Sequence, residues 1–262
     1  MSVKSEQEPL LDLRDVTVQF GGLKAVSEFN FSIRHRELVG LIGPNGAGKT
    51  TIFNLITGVY RPTSGSILFE GKAVAGKKPY LITKRGIART FQNIRLFPEM
   101  SVLENVLVAQ FQHRSISPLP LLLHSKHFRE EEKQSRDEAL DFLDFVGLAR
   151  HANAVSSNLA YGLQRRLEIA RALATRPRIL LLDEPAAGMN PQEAVEMVQL
   201  ISRIRDRGLA ILLIEHHMKV VMSISDEILV LDHGVRIAHG APQKVRNDPQ
   251  VIKAYLGEEI SC

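Results

Sequence analysis

At 262 residues, 44% of them hydrophobic and 24% charged, the chain is long enough to bury a sizeable core as one α/β domain, which excludes disordered and fibrous classes. Its net charge of +4 comes from 33 Lys and Arg against 29 Asp and Glu, spread without a basic stripe interleaved with aromatics, so no nucleic-acid partner is expected. No apolar run reaches the roughly 18 to 20 residues of a membrane span, MSVKSEQEPL is not expected to be a leader, and a lone cysteine, Cys262, fits a reducing compartment.

In chain order, LDLRDVTVQF and SEFNFSI alternate apolar and polar positions on either side of Gly21-Gly22, which predicts two antiparallel strands joined by a turn. RELVGLIGPNGAGKTTIFNLITG then reads as a buried strand at Leu38–Ile42, a glycine-rich loop and a helix ending near Gly58, and PTSGSILFEG as another short strand. From Ser101 the spacing of Val102, Val106 and Ala109 is helical. So is that of Ala139, Leu140, Phe142, Leu143 and Val146 in a second helix over 128–146. Proline-broken RSISPLPLLLHSK separates the two. Residues 93–172 are therefore expected to form a helical subdomain inserted in a single domain spanning 9–258. Strand RILLLDE, helix PQEAVEMVQLISRIRDRG, strand LAILLIEH, helix HMKVVMSI and strands DEILVLDHG and VRIAHG follow. Such alternation predicts a parallel sheet with right-handed crossovers. The expected class is α/β, with a parallel-sheet core and an N-terminal antiparallel β region.

GPNGAGKT, residues 43–50, fits the phosphate-loop pattern G-x-x-x-x-G-K-[ST] in its required context, a strand before and a helix after. The expected nucleotide contacts are Gly43, Pro44, Asn45, Gly46, Ala47, Gly48, Lys49, Thr50 and Thr51. Gly46 and Gly48 let backbone N–H groups close round phosphates, the helix N-terminus adds a favourable dipole, Lys49 reaches the β and γ phosphates, and Thr50 ligates Mg²⁺. ILLLDE brings two carboxylates to the point where an apolar strand leaves the core. Asp183 is expected to serve Mg²⁺ through water and Glu184 to polarise an attacking water. Adjacent residues on a strand point to opposite sides, but a strand that is ending can turn both toward one pocket.

GPNGAGKT, TFQN, LAYGLQRRLEIARAL, ILLLDEP and IEHH occur in the order found in ATP-binding-cassette (ABC) transporter ATPases, a family the chain resembles over essentially its whole length. The resemblance implies the P-loop ABC ATPase fold, ATP and Mg²⁺ as cofactors, and hydrolysis. It gives Gln92 the place of a glutamine that senses Mg²⁺ and water, and His216 that of a switch histidine contacting the γ phosphate; His217 takes the next position, where relatives often carry Asp, and a surface residue is the other reading of either histidine. Phe20 takes the place of an aromatic that stacks on adenine; a core phenylalanine is the other reading. Residues 159–173 correspond to the segment that caps ATP bound by a partner subunit, with Ala160 and Gly162 facing that nucleotide. Against the common L-S-G-G-Q pattern, Ala160 stands in place of serine and Leu163 in place of glutamine, and Asn190 replaces an aspartate after the catalytic strand.

Longer stretches, VQFGGLKAVSEFNFSI, RTFQNIRLFPEMSVLENVLVA, LLDEPAAGMNP, LLIEHHMKVVMSISDEILVLDHG and VIKAYLGEE, together with Tyr161, resemble one of the two ATPases of bacterial branched-chain amino-acid importers. That implies a head-to-tail pair with a second ABC ATPase, a sister or a second copy, peripheral to the cytoplasmic face of the inner membrane. The pair would sit on two transmembrane permease chains fed by a periplasmic substrate-binding protein. ATPases of urea import or lipopolysaccharide export are the alternatives within transport. A DNA-repair or chromosome-structure ATPase needs long heptad arms, for which this insertion is too short. Leu119, Leu121, Leu122 and Leu123 offer either a patch for a permease helix or internal packing, while His113, His124 and His127 lack metal-ligand spacing.

Overall fold

The computed structural model describes residues 8–111 and 126–259. Strands Leu11–Phe20 (β1), Leu23–Ile33 (β2) and Leu38–Ile42 (β3) lead into helix Lys49–Ile56 (α1), strands Ser64–Phe69 (β4) and Lys72–Ala73 (β5), helix Pro79–Lys84 (α2) and strand Ile87–Arg89 (β6). Helices Val102–Gln110 (α3), Lys126–Phe145 (α4) and Tyr161–Ala174 (α5) come next, then strand Ile179–Asp183 (β7), helix Pro191–Asp206 (α6), strand Ala210–Ile214 (β8) and helix Met218–Ile224 (α7). Strands Glu227–Asp232 (β9) and Val235–Gly240 (β10) and helices Pro242–Arg246 (α8) and Pro249–Glu259 (α9) complete the chain.

Two sheets result. One is antiparallel in the order β2-β1-β4-β5; the other runs β10-β9-β3-β8-β7-β6, parallel except for β10, which turns straight back from β9. β3, β7 and β8 are five-residue strands buried throughout and apolar but for Asp183 at the end of β7, as strands covered on both faces must be. Their side chains alternate: Leu41, Leu181 and Leu212 join a core with β1, β2 and β4 in which α1 buries Ile52, Phe53, Leu55 and Ile56 between the two sheets. Leu180, Leu182 and Leu213 face the other way, into a core shared with α3, α4, α5 and α6.

Helices α3, α4 and α5 pack on one another, and Val102, Val106, Ala139, Leu143 and Leu167 make their buried face continuous with the sheet. α3 starts where the sequence marks it: Ser101 Oγ accepts the Glu104 N–H at 3.1 Å while the Glu104 carboxylate accepts the Ser101 N–H at 2.8 Å. Elements α2 and β6 were not expected, because three residues of edge strand carry no alternation to read. Segment 112–125, with its leucines, His113 and His124, lies outside the described residues, as do the side chain of His127 and Cys262. Among the described residues, no helix is long and apolar enough to cross a membrane.

Candidate active site

Strands β3, β8, β7 and β6 are parallel neighbours whose registers pair Leu41 with Ile214, Ile214 with Asp183, and Leu181 with Arg89. Their C-terminal ends therefore line up, about 4.8 Å from strand to strand, along the edge where open α/β sheets bind ligands. From this edge emerge the phosphate loop, residues 215–217, Glu184 and the loop carrying Gln92.

The loop's glycines adopt φ +149° at Gly43, +76° at Gly46 and +104° at Gly48, a region L side chains rarely enter. The last two serve different ends. A Cβ at Gly48 would lie 2.8 Å from the Ala25 carbonyl oxygen, so glycine there lets the loop close onto β2, whereas a Cβ at Gly46 would meet nothing within 4 Å. Open space beside Gly46 at the head of α1 suits a phosphate group. Lys49 Nζ donates to the carbonyls of Gly43 and Pro44 at 2.5 and 2.8 Å, which holds the ammonium over the loop. Thr50 is exposed and Thr51 half-buried in the first turn of α1, while Asn45 is exposed and Pro44 and Ala47 are buried. A cleft of about 1020 Å³ also borders residues 44–47 and is walled by His233, Gln250 and Lys253, so the loop is shared with the C-terminal helices.

Asp183 is buried, and its Oδ2 accepts from Arg89 Nη2 at 2.7 Å; Arg89 Nη1 donates to Asn54 Oδ1 of α1, also at 2.7 Å. The Arg89 guanidinium lies 5.2 and 5.0 Å from the ring centres of Phe53 and Phe91. Glu184 leaves the strand in the left-handed region, at φ +48°, with its N–H on the Ile214 carbonyl at 2.9 Å. That conformation costs about 1 to 2 kcal/mol for a residue with a Cβ. It breaks the alternation of the strand and aims the Glu184 carboxylate at the loop that follows β6, whose Arg89 engages Asp183: Gln92 Nε2 donates to Glu184 Oε2 at 3.1 Å. His216 Nδ1 stands 3.6 Å from Glu184 Oε1. The structure thus brings Gln92, Glu184 and His216 together.

Ala160 and Gly162 have different neighbours. Ala160 is the N-cap of α5 without a side-chain hydrogen bond, Gly162 lies beside Glu193, and Tyr161 lies beside Gly188. Leu163 packs against the second core, which gives an apolar residue a reason to stand there, and Asn190 caps α6 by accepting the Glu193 N–H at 2.9 Å. Phe20 is no core residue: it is 45% exposed, with its ring edge-on to Tyr60 at 5.0 Å.

Sequence reasoning overlooked four charged side chains. One is Arg89. Another is Glu215, whose buried carboxylate accepts the N–H groups of Ala186 and His216, each at 3.1 Å, and so ties together the loops after β7 and β8. The remaining two, Arg165 and Glu168 of α5, are both buried. Arg165 donates to the carbonyls of Phe91 and Gln92 at 2.5 and 2.6 Å, to Tyr161 Oη and to Glu168. Glu168 in turn accepts the N–H groups of Phe91 and Arg95. Burial pushes the Glu168 carboxyl above the usual range, against the pull of these N–H groups and of Arg165. A signal was present: Arg165, Ile169 and Ala172 fall on one helical stripe, so a cation lies in an apolar register.

The ABC transporter family model matches residues 26–187, which hold the phosphate loop, both carboxylates and α5, and the fold is that of an ABC-type ATPase. A second model, described as a branched-chain amino acid ATP-binding cassette transporter, matches residues 235–261, and the chain belongs to that branch of the ABC transporter family. It is 50% identical to the high-affinity branched-chain amino acid transport ATP-binding protein LivG of Escherichia coli K12, over 96% of this chain and 99% of that one. It is 49% identical to the corresponding protein BraF of Pseudomonas aeruginosa, over 95% and 98%. Among solved structures it is similar to the ADP conformation of MJ1267, an ATP-binding cassette of an ABC transporter, with a TM-score of 0.83 and 32% identity over 96% of this chain and all of the other.

Proposed function

We propose that this chain is the ATP-hydrolysing subunit of a bacterial importer for branched-chain amino acids. In this reading it works at the cytoplasmic face of the inner membrane as one of a head-to-tail ATPase pair on two permease chains, which receive cargo from a periplasmic binding protein. The likeness to LivG and BraF supports the cargo. The approach of Gln92 and His216 to the Glu184 carboxylate carries the chemistry. Glu184 orients and polarises the attacking water, Gln92 holds that carboxylate, and Lys49 and His216 counter charge on the γ phosphate. Thr50, Gln92 and, through water, Asp183 would hold Mg²⁺, which would supply further neutralisation of the phosphate oxygens. Phe20 offers its exposed ring to adenine. Residues 9–258 act as one domain, within which 93–172 form the helical subdomain.

Ala160 and Gly162, at the start of α5, present backbone N–H groups and a helix dipole to the ATP of the partner subunit. Ala160→Ser restores a hydroxyl at an uncapped N-cap. It is expected to stabilise α5 by about 1 kcal/mol and to raise steady-state phosphate release by the assembled complex. Unchanged or lower turnover would count against this role for the segment.

The whole reading is tested by purifying the complex from its native membrane through this chain, identifying its partners, and reconstituting it in vesicles. Uptake of leucine, isoleucine and valine with a sister ATPase and two permeases present is expected. Transport of urea instead, or recovery of this chain with no permease, would overturn it.

A further inference from the structure

We propose that Glu215, His216 and His217 form a binding site for a late first-row divalent cation, Zn²⁺ foremost, and that filling it halts hydrolysis. One donor atom of each residue lies within 4.8 Å of the other two. Glu215 is the fixed anionic member, its buried carboxylate pinned by the Ala186 and His216 N–H groups as outer partners pin a metal ligand. His217 Nδ1 stands 3.4 Å from Glu215 Oε2, and His216 Nδ1 stands 3.6 Å from Glu184 Oε1. Ligands about 2.05 Å from a tetrahedral Zn²⁺ are about 3.3 Å from one another, so the pair of His217 and Glu215 is close to one edge of such a site. The two imidazoles lie side by side, ring centres 4.4 Å apart and planes 36° to each other, and both are exposed, which leaves their rings free to turn about the side-chain bonds.

Two imidazoles and a carboxylate suit zinc and disfavour magnesium, which takes oxygen donors in an octahedron. The site therefore discriminates against the abundant cation needed for hydrolysis. Its effect on turnover rests on the role given to His216 under the proposed function, whereas binding does not. A ring nitrogen of His216 committed to the cation is withdrawn from the γ phosphate.

The test uses the full chain carrying Cys262→Ser, so that no thiol competes, with and without His217→Ala. Calorimetric titration with Zn²⁺ in excess Mg²⁺ and without nucleotide is expected to show one site per chain, weakened about tenfold or more by the substitution. Both proteins are expected to hydrolyse Mg-ATP alike in the presence of a chelator, and only the parent should lose that activity as Zn²⁺ reaches one equivalent. Absence of nucleotide-free binding, or equal binding or inhibition in both proteins as when Zn²⁺ merely replaces Mg²⁺ at the nucleotide, overturns the proposal. A parent without any ATPase activity would instead sink the hydrolytic reading, leaving the binding arm to decide the site.

Discussion

Glu184→Gln is expected to cut steady-state ATP hydrolysis by about a thousandfold, the scale of a lost general base, while fold and nucleotide binding persist. The substitution is nearly isosteric. Its amide oxygen can still accept from Gln92 Nε2, now at 3.1 Å from the carboxylate, and the left-handed backbone at this position is set by the hydrogen bond to Ile214 rather than by charge. What disappears is the basic oxygen. With hydrolysis blocked and ATP saturating, the closed pair should accumulate, which sedimentation of the variant with its sister subunit measures directly. Residual turnover within tenfold of the parent would remove Glu184 from its role, and lone particles at saturating ATP would remove the nucleotide-bridged pair.

How much of this was legible in the sequence depends on how local the cause is. β3, β7 and β8 were readable because both of their faces are buried, which leaves apolar runs of four or five residues. The phosphate loop was readable because its glycine spacing answers a backbone requirement within eight residues. Gln92 and Glu184 meet across 92 positions of chain, and no spacing rule reports such a contact; only resemblance to a family placed Gln92 and His216. α2 and β6 are too short for periodicity to show. Arg165 was missed for a different reason. A lone arginine in an amphipathic helix is ordinarily assigned to solvent, and only the fold reveals that 91–97 arrives beside α5 with carbonyls to be satisfied.

Arg165→Met should therefore have a large effect on both stability and catalysis, through separable causes. Removing one member of a buried ion pair leaves the other charge uncompensated, at a cost of about 3 to 5 kcal/mol. Glu168 is that other charge. Its carboxyl is already raised by burial despite Arg165, and without the guanidinium it rises further, while the unfolded chain keeps the ordinary value. The folded variant then holds a proton that the unfolded one releases. Its stability relative to the parent accordingly falls as pH climbs from the parent's raised value to the variant's still higher one, and levels off above it, which urea midpoints of both proteins across that window report. Adding Glu168→Gln keeps an oxygen for the Phe91 and Arg95 N–H groups while removing the stranded charge, so the pH-dependent part of the loss should vanish in the double variant. Hydrolysis should not return with it. Arg165 is fully buried, away from the open cleft; it positions the Gln92 carbonyl at 2.6 Å, and through it the side chain that holds Glu184. The phosphate loop and Phe20 are untouched, so kcat is expected to fall in both variants with KM for ATP little changed. If the double variant regains parental kcat, Arg165 serves folding alone; if KM rises instead, the path from α5 to Glu184 through Gln92 is wrong.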